Sequence, residues 1–289
     1  MELSIIILSY NTKDLSISCI NSIVEQYKNE LDKEQFEIIV VDNASEDGSA
    51  QALLRLKIEG VKILENKENL GFAKGCNLGA KSAKGEYLLF LNSDTQIKDQ
   101  GFLKMLDFFK KNENIGILGA KLKNIDGTSQ PSAGNFYNLF NLFFMSLGVE
   151  RFGFLRESPN EVKKVDWVSG ASLMIRRKFF EKIGGFEKDL FMYWEDIEIC
   201  YKAKEKGFLT YFYPEITLFH KELGSGNRSF AILNIYKGIL FFYKKHKSSF
   251  EYNLAKAILF SKAFVLSNFG KIAKNKYYID TYGKTLELF

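Results

Sequence analysis

Four short runs decide what the first third of this chain can become: LSIIIL (residues 3–8), FEIIVV (36–41), VKILEN (61–66) and YLLFLN (87–92). The first, second and fourth are apolar almost without alternation, so each needs cover on both faces of a sheet. Segments of helical period separate the runs. Leu15, Cys19, Ile20, Ile23, Val24 and Tyr27 mark the first, Ala52, Leu53 and Leu56 the second, and the glycine-punctuated NLGFAKGCNLGAKSAKG the third. Buried strands alternating with helices predict βαβ units on a parallel sheet, a Rossmann-like half built in the first 92 residues.

After residue 115 the rhythm changes. IGILGAKL (115–122) reads as a strand, and the aromatic stretch from Asn135 to Phe154 as an amphipathic helix and loop. VDWVSGASLMIRR is expected to be a strand pair, or one strand bent at Gly170. KFFEKIGGF is expected to be a short helix stopped by Gly184 and Gly185. DIEICYKAKEKG reads as a helix, FLTYFYP as a strand ended by Pro214, and residues 230–270 as mostly helical.

Composition removes several classes. With 46% hydrophobic and 26% charged residues, disorder is excluded for most of the chain. Cys19, Cys76 and Cys200 are far apart with no CxxC pair, so neither a disulfide framework nor a zinc-thiolate site is expected, and a reducing cytoplasm is the expected location. The opening MELSIIILSYN lacks a basic n-region and its apolar run is short, so it is expected to be neither a signal peptide nor a span. Residues 221–289 hold 12 Lys and Arg against 4 Asp and Glu, a net of +8, whereas the preceding residues net −3. The basic character belongs to the tail, and no nucleic-acid partner is expected.

Three polar endings and one histidine could carry chemistry. VDNASEDGS places Asp42 and Asn43 at the carboxyl end of the second strand, where open parallel sheets bind ligands. The same loop also reads as an ordinary βα turn. It is not a P-loop, and Gly71, Gly75 and Gly79 are spaced four apart, unlike GxGxxG. Asn92-Ser93-Asp94 ends the fourth strand in one carboxylate, which suits a hard divalent ion that also takes phosphate oxygens, or simply a strand-ending turn. Glu195-Asp196 follows Trp194. Aromatic surroundings raise a carboxyl pKa and suit a general base, while acids at a helix start are also favoured by its dipole. His220, before KELGSG, is a competent metal ligand or a structural strand-end histidine, and His246 reads as solvated surface.

Together SIIILSYN, VVDNASEDGS, NLGFAKGCNLG, YLLFLNSD, DWVSGASLMIRR, FMYWEDIEIC and the His220 loop resemble the family 2 glycosyltransferases, particularly the rhamnosyltransferase-like bacterial group. The resemblance covers about residues 3–225. It implies the nucleotide-diphospho-sugar transferase (GT-A) fold, an α/β/α sandwich with a mixed central sheet, and an inverting transfer that uses Mg²⁺ or Mn²⁺. By that resemblance Ser9, Tyr10 and Asn11 lie beside the nucleotide, and Asp42, with Asn43 beside it, recognises its base. Gly71, Phe72 and Asn77 close over the nucleotide. Asn92, Ser93 and Asp94 match the DxD-type motif, with Asp94 as metal ligand and Asn92 standing where the pattern has Asp. Trp167, Ser169 and Gly170 line the donor and acceptor sites. Asp196 is the catalytic base with Glu195 beside it, and His220 is a second metal or diphosphate contact.

The implied partners are a UDP- or dTDP-sugar donor and a glycan acceptor, lipid-linked or not, in cell-surface polysaccharide synthesis. The implied organisation is a catalytic domain over 1–229, with a nucleotide half to about 115 and an acceptor half beyond it, and a helical tail over 230–289. A sugar-nucleotide pyrophosphorylase needs a glycine-rich first loop, which LSYNTKDLS lacks. A non-catalytic carbohydrate-binding or scaffold domain would have no use for Asp42, Asp94 and Asp196. In the tail, aromatic residues (Phe241, Phe242, Tyr243, Phe250, Tyr252, Phe260, Phe264 and Phe269) alternate with lysines. It reads either as a helix lying on the cytoplasmic face of the membrane or as a cap or homodimer contact.

Overall fold

Strand β1 (Leu3–Ser9) is an interior strand of the main sheet, and both its faces are apolar. Leu3, Ile5 and Ile7 pack with Cys19, Ile20, Ile23 and Tyr27 of α1 (Lys13–Asp32). Ile6 and Leu8 face the other way, onto a later helix. The computed structural model describes residues 1–148, 155–221 and 228–289, so the end of the expected aromatic loop and most of the KELGSG stretch lie outside the described residues.

The chain continues through β2 (Phe36–Asp42), α2 (Ser49–Arg55), β3 (Val61–Glu65), α3 (Gly71–Ser82), β4 (Tyr87–Asn92), β5 (Thr95–Ile97), α4 (Gly101–Lys111) and β6 (Ile115–Lys123). Next come β7 (Ser129–Gln130), β8 (Ala133–Gly134), α5 (Leu139–Ser146), β9 (Arg156–Glu157), β10 (Lys163–Val165), β11 (Trp167–Val168), β12 (Ser172–Arg176) and α6 (Arg177–Lys182). The last are α7 (Glu195–Glu205), β13 (Leu209–His220), α8 (Arg228–His246), α9 (Ser249–Ile272) and α10 (Lys276–Leu286). The main sheet has the order β10-β13-β6-β12-β4-β1-β2-β3. Its β3-β2-β1-β4 part is parallel, as the four strand runs separated by helices predict. Strand β12 then runs antiparallel between β4 and β6, which makes the sheet mixed.

The glycines of α3 have a packing reason. A Cβ on Gly75 would lie 2.4 Å from Cδ1 of Leu8, and one on Gly79 2.5 Å from Cγ2 of Ile6. Their spacing of four therefore puts a bare helix face on β1, and is not a phosphate cradle. The short helix α6 ends as expected, with Gly184 at φ 78° and the amide of Gly185 donating to Phe180 O at 2.9 Å. Pro214 does not end its strand. β13 runs on to His220, with its register against β6 shifted between Tyr213 and Thr217, because proline is tolerated where a ladder is already irregular. All three cysteines are buried and free.

Two compact units result. One comprises Met1–Asn135, Glu157–Phe191 and Glu195–Glu222, and the other Phe136–Arg156, Met192–Trp194 and Leu223–Phe289. The second is helical. In it α9 packs on α5, α8 and α10, and its start carries a capping box in which Ser248 Oγ accepts from the amide of Glu251. Within the same unit Tyr243 donates its hydroxyl to Tyr137 O, and Phe242 and Tyr243 are buried. Those two aromatic residues of the tail are thus core rather than surface. His246 is half-buried, with its ring 5.1 Å from that of Phe242, and is not the solvated side chain expected.

Candidate active site

Register alone brings the candidate residues to one edge of the sheet. Ser9 at the end of β1 pairs with Asp42 at the end of β2, and Leu8 pairs with Asn92 at the end of β4. Asp42 and Asn92 therefore flank the end of β1, between the strands where the sheet order reverses, which is where such sheets bind ligands. β12 starts at the same edge, because the amide of Asn92 donates to Ala171 O. His220 closes β13 opposite Thr95, and the amide of Lys221 donates to Asp94 O.

Short hydroxyl groups tie these loops together. Ser16 donates to Ser9 Oγ at 2.9 Å, and Thr12 Oγ1 lies 3.2 Å from Ser9 Oγ and 3.1 Å from Ser93 Oγ. Asn11, at φ 53°, accepts from the amide of Glu46 and donates its own amide to Ser45 Oγ. Tyr10 is 44% exposed at the rim. Asp42 is buried and its Oδ2 accepts from the amide of Ser45, but its Oδ1 has no hydrogen-bond partner. A buried acceptor left unmet costs on the order of 1–3 kcal/mol until a donor reaches it.

Asn43 has a different task. Its carbonyl oxygen accepts from Asn66 Nδ2 and the amide of Leu70, while its Nδ2 donates to Asn69 Oδ1 and Gly71 O. The side chain is thus spent on holding two loops together. Gly71 sits at φ 77°, where a Cβ would stand 2.3 Å from Phe191 O, and the amide of Phe72 donates to that same oxygen. Asn77 exchanges two hydrogen bonds with the backbone of Phe186. Gly71, Phe72 and Asn77 therefore anchor α3 to the 186–191 segment.

The fourth strand's ending faces the histidine. Nε2 of His220 lies 3.1 Å from Oδ1 of Asp94 and 3.2 Å from Nδ2 of Asn92, and its Nδ1 is 2.8 Å from Oε1 of Gln130. The Gln130 oxygen can only accept, so it takes the proton on Nδ1 and turns Nε2 toward Asp94. A ring nitrogen and a carboxylate oxygen facing each other at that distance suit a divalent cation. Among the described residues no three His, Cys, Asp or Glu side chains gather as a metal cage. Asp94 and His220 fit such an ion as a two-ligand seat whose remaining positions need other oxygen donors.

Helix α7 opens with the acid pair. Asp196 accepts from the amide of Gly170 at its Oδ2 (3.1 Å) and from that of Ile197 at its Oδ1 (2.8 Å). Gly170 stands just before β12, so the hydrogen bond ties Asp196 to the strand-end edge. Amide donors favour the charged carboxylate. Glu195 differs. Burial, then the neighbouring Asp196, push its carboxyl up to about 8, and its Oε2 has no partner. Tyr193 and Trp194 lead into this pair with positive φ, 68° and 74°, a conformation side chains seldom adopt. Ser169 shapes the turn before β12 by accepting from the amide of Ala171, whereas Trp167 is buried with its Nε1 donating to Asn135 O. Gln130, Asn66, Asn69 and Thr12 were not singled out from the sequence. Gln130 lies 90 residues before the ring it orients, and no local pattern marks it.

Known proteins share the family and the fold of this chain. Residues 4–184 match the profile of Glycosyl transferase family 2. The chain is 39% identical over 137 residues to a poly(ribitol-phosphate) beta-glucosyltransferase of Bacillus spizizenii, a match covering 46% of this chain and 21% of that protein. It is 26% identical over 211 residues to an N-acetylglucosaminyl-diphospho-decaprenol L-rhamnosyltransferase of Mycobacterium tuberculosis, covering 66% and 68%. Its fold is that of the mannosyltransferase PcManGT from Pyrobaculum calidifontis, solved with GDP-Man and Mn²⁺ (TM-score 0.61, 17% identity, 98% and 84% covered). It is also that of S. aureus TarS 1–349 in complex with UDP-GlcNAc (TM-score 0.56, 16% identity, 99% and 91% covered).

Proposed function

The chain belongs to glycosyl transferase family 2, and from that premise we propose that it moves a sugar from a nucleotide-diphospho-sugar to a glycan hydroxyl with inversion at the anomeric carbon. The observation that carries this reading is the convergence of Asp42, the Asp94–His220 pair and Asp196 on one edge of one sheet. We assign the chemistry to residues 1–229, with 230–289 as a helical tail.

Each residue has a task there. Asp42 accepts the imide N–H of a uracil or thymine base on its unmet Oδ1, which favours a UDP- or dTDP-sugar. Asp94 and His220 would hold Mg²⁺ or Mn²⁺. When bound, such an ion would supply positive charge for the departing diphosphate. Asp196 takes the proton of the attacking hydroxyl, a task typically worth 10²–10⁴-fold in rate. Burial and the neighbouring Asp196 both raise the Glu195 carboxyl, which favours Glu195 as the member of the pair that keeps its proton. With Asp196 as base and the acceptor hydroxyl attacking the anomeric carbon directly, a single displacement inverts the centre.

The names of the relatives support a cell-surface glycan as acceptor, and that of the rhamnosyltransferase includes a decaprenol-linked one. Acceptors of that kind would place the work at the cytoplasmic face of a membrane. The test is a panel of UDP-, dTDP- and GDP-sugars with and without Mn²⁺, read by donor turnover and by the anomeric configuration of the product. Turnover of a pyrimidine donor with an inverted product supports the reading. Retention of configuration refutes the single displacement, and neither nucleotide binding nor turnover leaves a carbohydrate-binding scaffold.

A further inference from the structure

The helices of the second unit turn their large apolar residues in opposite directions. In α8 the buried ones include Tyr236, Ile239, Phe242 and Tyr243. In α9 the inward residues are mostly small: Ala255, Ala263, Ser267 and Gly270 are buried together with Leu259. That stripe allows close approach, since a Cβ on Gly270 would stand 2.7 Å from Cβ of Tyr278 in α10. The large residues of α9 face out. Phe250 is 75% exposed, Phe264 52%, Val265 61% and Ile272 84%.

At 3.6 residues per turn, positions 250, 254, 257, 261, 264, 265, 268 and 272 share an arc of about 100°. None of them is charged. The helix has 24 residues, so this face runs for about 36 Å. An uncharged, mostly apolar face of that length, interrupted only by Ser261 and Asn268, inverts ordinary helix packing and marks an interaction surface. The neighbouring α5, to whose Met145 O Lys262 of α9 donates, exposes Phe140, Phe143 and Leu147, three and four residues apart.

Charge selects the occupant. Lys244, Lys245 and Lys247 stand before the first turn of α9, and Lys271, Lys274 and Lys276 at or beyond its last. Residues 228–289 hold 11 Lys and Arg against 3 Asp and Glu. A second copy docked face to face, parallel or antiparallel, would set lysines against lysines. Anionic headgroups would neutralise them while the acyl boundary takes the aromatic rings. Among the described residues no helix is long and apolar enough to cross a membrane. We propose that α9 lies flat in the surface of a bilayer containing anionic lipid, with Phe250, Phe264 and Ile272 in the acyl boundary. The surface is defined by the second unit alone, so this inference stands or falls independently of the transfer reaction.

The test is flotation of the full chain with phosphatidylcholine vesicles, with or without one-third phosphatidylglycerol, at low and high salt. The full chain should float with the anionic vesicles at low salt, less at high salt, and less with neutral ones. The triple variant Phe250→Ser, Phe264→Ser, Ile272→Ser changes only exposed side chains, so it should keep its far-ultraviolet dichroism and lose about tenfold or more in binding. A Phe264→Trp variant reports insertion directly, because the two native tryptophans, Trp167 and Trp194, are buried. Its emission should shift to the blue and be quenched by brominated acyl chains. Absence of flotation, equal flotation of the triple variant, or emission from the Phe264→Trp variant that brominated chains leave unquenched overturns the proposal. So does a dimer that the triple variant dissociates while vesicles bind neither form, which would give the face to a second copy.

Discussion

Strand β4 and helix α9 are both rich in apolar side chains, yet they use them in opposite directions. In β4 Phe90 is fully buried, with its ring 5.1 Å from Phe180 and 4.7 Å from Phe186. In α9 Phe264, the same side chain, is half exposed and its helix turns small residues inward. One region spends hydrophobicity on stability and frees its strand ends for polar chemistry. The other holds its apolar residues for something outside itself. Composition cannot separate the two, because the difference lies in the period and in what lies opposite.

The strand-end edge offers the largest effect. Asp196→Asn keeps the shape and removes the basicity, so turnover should fall by about 10²–10⁴-fold while UDP affinity holds. Steady-state kinetics and a UDP titration on one preparation check this. Unchanged turnover would move the base elsewhere, with Glu195 the first candidate.

A matched pair of truncations sharpens the contrast itself. Phe90→Ala should cost about 3–5 kcal/mol, the usual loss for a buried phenylalanine. Phe264→Ala should cost about 0.5 kcal/mol or less, as for a surface change. Denaturant unfolding measures both, and equal losses would mean that α9 is covered in the free protein.

The acid pair gives a pH signature. The folded state holds Glu195 near 8 against an ordinary 4.5, with burial the main cause. Below pH 4.5 both folded and unfolded chains carry the proton. Between about pH 4.5 and 8 only the unfolded chain releases it, so stability falls as pH rises through that window. Glu195→Gln removes this loss, so the variant should gain in melting temperature over wild type at pH 8 compared with pH 5. A gain that does not change with pH would show that Glu195 does not titrate in this way.

Much of the first unit was legible because its strands are short apolar runs that stop at polar turns. Ser9, Asp42 and Asn92 could be placed from those endings, and the parallel register then set them side by side. What was not legible depends on distant partners. Pro214 looks like a stop, yet β13 has β6 to pair with on either side of an irregularity. Asn43 looks like a ligand contact until Asn66 and Asn69 arrive to consume its amide. Gln130 carries no local signal at all. In the tail, the interleaving of lysines and aromatics was visible, but which aromatics face out was not, because Phe242 and Phe264 differ only in what their helices pack against.

The central claim is that the strand ends hold one donor along its length, with its base at Asp42 and its diphosphate at Asp94. Calorimetric titration of UDP and of inorganic pyrophosphate with Mn²⁺ into Asp42→Ala and Asp94→Ala tests it most directly. Asp94→Ala should weaken both ligands, whereas Asp42→Ala should weaken UDP by about 1–3 kcal/mol and leave pyrophosphate near wild type. Equal losses of UDP and pyrophosphate on Asp42→Ala would contradict the account.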